Sequence, residues 1–258
     1  MAAIDIRKVS KTFTDRQRND EVLAVDTIDL AIREHDFICL LGPSGCGKST
    51  LLNMIAGFDT PSSGRIEVAG TVVHKPGADR GVVFQQPTLM PWLTVADNVA
   101  FHLKMKGVGR VERRERAQEF IDLVGLTGFE RHYPSELSGG MSQRVGIARA
   151  LLMNPRVILM DEPFAALDAQ TKLEMQEELV QIWQRVRCTI VFVTHSIDEA
   201  LVLGTRIAVM TKRPGRIRDC FDFDLPRPRD ITSPEFNDAK RRILALIREE
   251  ATSVRRAA

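Results

Sequence analysis

Gly42-Pro43-Ser44-Gly45-Cys46-Gly47-Lys48-Ser49-Thr50 stands between two apolar runs, Phe37-Ile38-Cys39-Leu40-Leu41 before it and Leu51-Leu52-Asn53-Met54-Ile55-Ala56 after it. The first run is short and uninterrupted, as a buried strand is, and the second reads as a helix. Strand, glycine-rich loop and helix, with the spacing G-x-x-x-x-G-K-S, make a phosphate-binding loop. Glycines let successive backbone N–H groups turn inward on one anion, and the following helix aims its positive end at the same anion. In such a loop the Lys48 ammonium reaches the β- and γ-phosphates of a nucleotide, while the Ser49 hydroxyl ligates Mg²⁺.

Composition sets the outer bounds. A chain of 258 residues fits one large domain, or a domain with a sub-domain. Hydrophobic residues at 44% and charged residues at 27% are ordinary for a globular protein. Lys and Arg total 36 against 34 Asp and Glu, so the net charge of +2 gives no global sign of a nucleic-acid binder, and no nucleic-acid partner is expected. Cys39, Cys46, Cys188 and Cys220 lack C-x-x-C spacing, which predicts reduced thiols in a cytosolic protein. No charged-then-apolar leader and no apolar run of about 18 residues is present, so the chain is expected not to cross a membrane by itself.

Around the loop, residues 4–9 and 27–33 read as strands joined through a polar turn over 14–21. Phe13, just before that turn, has two readings: an edge-strand core residue, or a platform on which adenine stacks. Residues 65–70 alternate as a strand does, and 81–84 form a short buried strand ending at Gln85. Over 86–93 two prolines flank Leu89, Met90 and Trp92, which predicts a loop. Either those side chains form a partner site, or they tuck back onto the core. From 94 to 126 the pattern is helical, with a turn at 107–109. The mixed charges over 110–116 predict a solvated face.

Ser138-Gly139-Gly140 opens a helix that stops before Pro155; it is a second anion site or a simple N-cap. The buried strand 157–160 delivers Asp161 and Glu162 at its carboxyl end, where α/β proteins place ligands. An apolar run ending in Asp-Glu-Pro fits Asp161 holding Mg²⁺ through its water shell and Glu162 polarising an attacking water. Leu179, Ile182, Trp183 and Val186 make the buried stripe of a helix over 169–187, with Trp183 in the core. The strand 189–194 ends at His195, which is a polar cap or a partner of the γ-phosphate. Further strands are expected at 206–210 and 221–225. Ser233 as N-cap and Pro234 open a last basic helix to about 250, whose Lys240-Arg241-Arg242 run faces solvent, or else lipid or a partner.

Taken together, these motifs resemble the ATP-binding cassette ATPases, the nucleotide-binding subunits of ABC transporters, over about residues 4 to 225. Residues 42–49 match the Walker A motif, Gln85 the Q-loop, 137–143 the signature, 157–161 Walker B followed by Glu162. Ala166-Leu167-Asp168 matches the D-loop and His195 the switch histidine. The resemblance implies a P-loop NTPase α/β fold: a RecA-like core with an antiparallel β subdomain (1–84 and 156–225), an inserted α-helical subdomain with the Q-loop and signature (85–155), and a C-terminal basic helix (226–258). It implies ATP and Mg²⁺. Glu162, His195 and Lys48 would be catalytic. The nucleotide would be bound by Phe13, Gly42, Pro43, Ser44, Gly45, Cys46, Gly47, Lys48, Ser49, Thr50, Gln85, Ser138, Gly139, Gly140, Gln143 and Asp168, and Mg²⁺ by Ser49, Gln85 and Asp161. Two copies would pair head to tail, the Ser138-Gly139-Gly140 stretch of one closing over the γ-phosphate held by the other.

Within that family, Phe84-Gln85-Gln86-Pro87-Thr88-Leu89-Met90-Pro91-Trp92 and Pro226-Arg227-Pro228-Arg229 resemble the importers for nitrate, sulfonates and taurine. This implies a peripheral protein at the cytoplasmic face of the inner membrane, with permease subunits docked near residues 85–92 and, indirectly, an extracytoplasmic solute-binding protein. The last helix is too short for a regulatory domain, so no substrate-sensing role is carried over. The alternatives are the cassette of an exporter, or a soluble ABC ATPase acting on nucleic acid or ribosomes. The latter usually carry coiled-coil insertions, zinc motifs or a second cassette, none of which this sequence has.

Overall fold

The computed structural model describes residues 2–15 and 20–257. The centre of the turn expected over 14–21 lies outside the described residues. In chain order the strands are β1 (Ala2–Asp15), β2 (Asp20–Arg33), β3 (Phe37–Leu41), β4 (Ser63–Val68), β5 (Thr71–Val72), β6 (Arg80–Val83), β7 (Val157–Asp161), β8 (Thr189–Thr194), β9 (Arg206–Met210) and β10 (Ile217–Asp222). The helices are α1 (Lys48–Ala56), α2 (Val95–Val99), α3 (Phe101–Met105), α4 (Arg110–Leu123), α5 (Gly139–Leu152), α6 (Ala169–Val186), α7 (Ile197–Leu203) and α8 (Pro234–Ala257). The chain divides into two units, Met1–Gly77 with Thr189–Ala258, and Ala78–Cys188.

In the first unit, β2, β1, β4 and β5 form an antiparallel sheet in that order. Ile4 pairs with Ile32 and Val68, and Ile6 with Leu30 and Ile66. All six side chains are buried, so the period-two pattern puts one apolar face inward. A second sheet runs β10, β9, β3, β8, with β3 parallel to both β8 and β9. Every residue of β3 and β8 is buried, which explains runs without alternation: parallel strands are covered on both faces.

The expected strand over 221–225 lies earlier, at Ile217–Asp222. Alternation of Phe221, Phe223 and Leu225 suggested the later span, but the chain leaves the ladder at Asp222 to pass over the end of α7. There Phe223 is buried, edge-on to Phe236 of α8. Arg227 donates to the Val202 and Leu203 carbonyls. Arg229 donates to those of Leu201, Val202 and Gly204. These guanidiniums satisfy the C-terminal carbonyls of α7, which have no intrahelical donor. Ser233 caps α8 as expected, accepting from the Phe236 amide at 3.2 Å. Lys240 pairs with Asp198, Arg241 with Asp238 and Arg242 with Asp219, so the basic run is paired within the protein.

In the second unit β6 and β7 are parallel, and α2 to α6 make up the helical part. The helix expected to start at Thr94 is capped there, but Ala100, with ψ near 0°, divides it into α2 and α3. Along α5, nine residues from Gly140 to Leu152 are buried. Its low amphipathicity follows from packing on α2, α3, α4 and α6 at once. In α6 Leu179 and Ile182 are buried as expected, whereas Trp183 is half-buried.

Candidate functional site

The first unit builds the phosphate loop. β3 ends at Leu41, Gly45 and Gly47 take positive φ (+76° and +99°), and α1 begins at Lys48. Gly47 occupies the N-cap position without any side-chain cap, and the first turn of α1 carries no acidic residue. Helix N-terminal N–H groups point out of the helix end, so this end is chemically suited to an anion. A Cβ at Gly47 would lie 2.9 Å from the Ala24 carbonyl oxygen, so only glycine fits. Lys48 is buried, and its Nζ donates to the Gly42 (2.8 Å) and Pro43 (2.9 Å) carbonyls, which keeps the ammonium inside the loop.

His195 issues from the same sheet edge. Leu41 pairs with Thr194, and the Gly42 amide donates to the Thr194 carbonyl at 3.4 Å, so the loop and His195 leave adjacent strand ends. The residues on either side of His195 are locked. Thr194 Oγ1 donates to the Glu199 carboxylate and accepts from the Ser196 amide, and Ser196 Oγ caps the Glu199 amide at 3.3 Å. The His195 side chain is exposed between these anchors. Phe13 lies on β1 past Ser10, the last residue paired with β4, and pairs with Val22 of β2 alone; 43% of its surface is exposed and Lys11 Nζ lies 4.9 Å from its ring centroid.

The second unit presents the other motif residues. Val83 pairs with Met160, so Gln85 and the pair Asp161 and Glu162 follow adjacent parallel strand ends. Glu162 holds φ +44°, a left-handed conformation that a non-glycine residue adopts at a cost of about 1 kcal/mol or more. Ser138 caps α5, its Oγ accepting from the Met141 amide at 3.2 Å. A Cβ at Gly140 would stand 2.7 Å from Thr171 Cγ2, and one at Gly139 would stand 3.7 Å from Leu167, so the signature stretch lies against the start of α6. Asp168 caps that helix, accepting from the Gln170 and Thr171 amides. Gln143, expected at the nucleotide, is buried and donates to the Phe84 carbonyl at 3.2 Å.

Sequence reading missed Gly215. A Cβ there would lie 2.0 Å from the Cys46 carbonyl oxygen, so the backbone of the 213–216 turn rests directly on the phosphate loop. The Gly215 amide donates to the Ala24 carbonyl and its own carbonyl accepts from the Asp26 amide, both at 2.9 Å. Its only signal was a Pro-Gly dipeptide, which marks any turn. Reading the 86–93 loop as either partner site or core also proves too simple. Leu89 and Met90 are half-buried, but Trp92 is 73% exposed.

By residue type, the Ser49 hydroxyl in the first unit and the Gln85 amide and Asp161 carboxylate in the second are oxygen donors of the kind a hard cation such as Mg²⁺ takes beside water and phosphate oxygens. Among the described residues no cluster of three or more His, Cys, Asp or Glu could cage a metal, and no helix is long and apolar enough to cross a membrane.

Comparison with known proteins agrees with these motifs. The sequence profile described as ABC transporter matches residues 25–165. The chain is 53% identical over 234 residues to the taurine import ATP-binding protein of Rhizobium johnstonii, covering 88% of this chain and 89% of that one. To the nitrate import ATP-binding protein of a Synechocystis species it is 45% identical, covering 96% of each. A dimeric ATP-binding cassette in a post-hydrolysis state, bound to ADP and Pi, superposes with a TM-score of 0.74 at 34% identity over 86% of this chain and the whole of that one. The chain therefore belongs to the ABC transporter family, as an α/β P-loop ATP-binding and ATP-hydrolysing subunit.

Proposed function

We propose that the chain powers an importer of small organic or inorganic anions of the nitrate, sulfonate and taurine type, working as a homodimer bound to permease subunits at the cytoplasmic face of the cell membrane. Likeness to import ATP-binding proteins over nearly the whole length carries this reading. An extracytoplasmic solute-binding protein would choose the substrate.

In this reading the Walker A residues 42–50 bind the phosphates of ATP, and Phe13 stacks on its adenine. Lys48 neutralises the β- and γ-phosphates. Ser49, Gln85 and Asp161 hold Mg²⁺, which shields phosphate charge. Glu162 accepts a proton from the attacking water, and His195 hydrogen-bonds the γ-phosphate. The second copy supplies Ser138, Gly139 and Gly140, whose helix end faces the γ-phosphate, together with Asp168 of its D-loop. Closure follows ATP and opening follows its hydrolysis, because ATP and ADP bind the two states differently.

The docking surface is the loop ending in Trp92. A groove of about 240 Å³, lined by Met90, Phe101, Met105, Arg149 and Met153 among others, lies within the same unit. Methionine-lined surfaces adapt to a partner's side chains. Reconstitution with permease subunits and binding protein in liposomes tests the reading through ATP-dependent uptake of labelled taurine and nitrate. ATP hydrolysis with uptake of neither anion would overturn it.

A further inference from the structure

Three residues of α5, spaced i, i+3 and i+6, touch three positions of the segment leading to Trp92. Gln143 donates to the Phe84 carbonyl at 3.2 Å. Gly146 lies beside Pro87, whose carbonyl oxygen a Cβ there would meet at an ordinary contact distance of 3.7 Å. Arg149 holds the loop most firmly: Nη2 donates to the Pro87 carbonyl at 3.0 Å, and Nη1 to the Thr88 carbonyl at 3.1 Å. Thr88 sits at φ +46°, a conformation that fixed partners must sustain. Farther along, the buried Asn98 of α2 accepts from the Met90 amide and donates to the Met90, Leu93 and Thr94 carbonyls. The loop is therefore fastened at both ends, and Trp92 projects between the fastenings.

The guanidinium of Arg149 is an unusual choice for mere packing. It is half-buried, burial pushes its pKa down, and among the described residues its hydrogen bonds go to carbonyl and hydroxyl oxygens instead of a carboxylate. Even a partly desolvated charge balanced only by dipoles costs some stability that an apolar residue would not. Its planar fork, however, fixes two successive carbonyls in one geometry, which a single-point donor cannot do as well. At the other end of the same helix stand Ser138, Gly139 and Gly140, about 16 Å away at 1.5 Å per residue.

We propose that Arg149 is a positioning residue that couples the Ser138-Gly139-Gly140 end of α5 to the Trp92 loop, so that nucleotide-driven displacement of the helix moves the loop with it. The inference rests on the proposed ATP-dependent pairing of two copies. With Arg149 shortened, Thr88 relaxes to negative φ and the loop no longer follows the helix. Contiguity alone does not establish coupling, so the test reads the response itself.

The experiment uses the full chain carrying Glu162→Gln, with amide hydrogen exchange over residues 84–94 measured without nucleotide and with Mg-ATP, and dimer formation followed by size-exclusion chromatography. The parent is expected to dimerise with ATP and to slow exchange in this segment about fivefold or more. Adding Arg149→Gln should leave ATP-dependent dimerisation intact and reduce the change to less than twofold. Arg149→Lys, which keeps the charge and one contact, should retain about half of it. A merely structural role would raise exchange equally with and without ATP, preserving the ratio and overturning the proposal. An Arg149→Gln variant responding like the parent overturns it too, as does a parent loop indifferent to ATP. Failure of the parent to dimerise refutes the pairing reading instead, and this inference with it. If Arg149→Gln fails to fold, a parent-like response in Arg149→Lys and in Arg149→Met overturns the proposal.

Discussion

At the scale of single residues, chemistry is concentrated where backbone freedom is least. Glu162 occupies a left-handed conformation at the end of β7, and Gly47 has no room for a Cβ. Replacing Glu162 by Gln keeps the shape but removes the proposed proton acceptor, so phosphate release should fall about 100-fold or more while ATP binding persists. A colorimetric phosphate assay beside nucleotide-binding titration checks both halves. Gly215 supplies a prediction that motif matching does not. Gly215→Ala forces a methyl against the Cys46 carbonyl, and the phosphate loop must shift to admit it. ATP affinity should drop about tenfold or more, since a displacement of about 1 Å in a positioned site costs on that order or beyond. Unchanged affinity would show that the loop tolerates the shift.

At the scale of elements, helix ends carry the argument. α1 begins without a side-chain cap, α5 and α6 are capped by Ser138 and Asp168, and α7 is closed at its far end by Arg227 and Arg229. Arg229 donates to the Leu201, Gly204, Phe223 and Leu225 carbonyls and stacks over Phe223 at 4.6 Å. Arg229→Ala strands those carbonyls, so unfolding in urea should show a loss of about 2–4 kcal/mol. Asp168 gives a pH test. The Thr171 side chain, with the Thr171 and Gln170 amides, holds its carboxyl below the usual carboxylate range. A carboxylate so depressed stabilises the folded state above its unfolded pKa and loses that contribution as pH falls through its folded pKa. The thermal midpoint of Asp168→Ala should therefore lie below that of the wild type at pH 7, with the gap narrowing once pH drops under 3.8.

At the scale of the whole molecule, function depends on surfaces turned outward. Trp92→Asp removes the exposed ring without touching either strand edge, so ATP binding by the isolated chain should match the wild type while co-purification with permease subunits is lost. Normal co-purification would place docking elsewhere. Much of this was legible in the sequence because it is local. The loop 42–50, the apolar runs of β3, β7 and β8, and the Ser233-Pro234 start of α8 are each fixed by neighbours a few residues away. Their chemistry follows from residue type and spacing. The strand at 217–222 was misplaced because alternation over 221–225 serves burial of Phe223 against α8 and Arg229, a contact between distant segments. Gly215 on Cys46 and Arg149 on Pro87 and Thr88 were invisible for the same reason, whereas an exposed Trp92 is one of the two readings of its loop. Sequence alone determined that the chain forms a strand-loop-helix with phosphate-loop spacing and delivers Asp161, Glu162 and His195 at strand ends, because backbone geometry and short-range spacing suffice for that. Only tertiary structure decided what supports the phosphate loop and what clamps the Trp92 loop, because those contacts join backbone carbonyls to residues far away in the chain, and no local pattern encodes which carbonyl a distant side chain will meet.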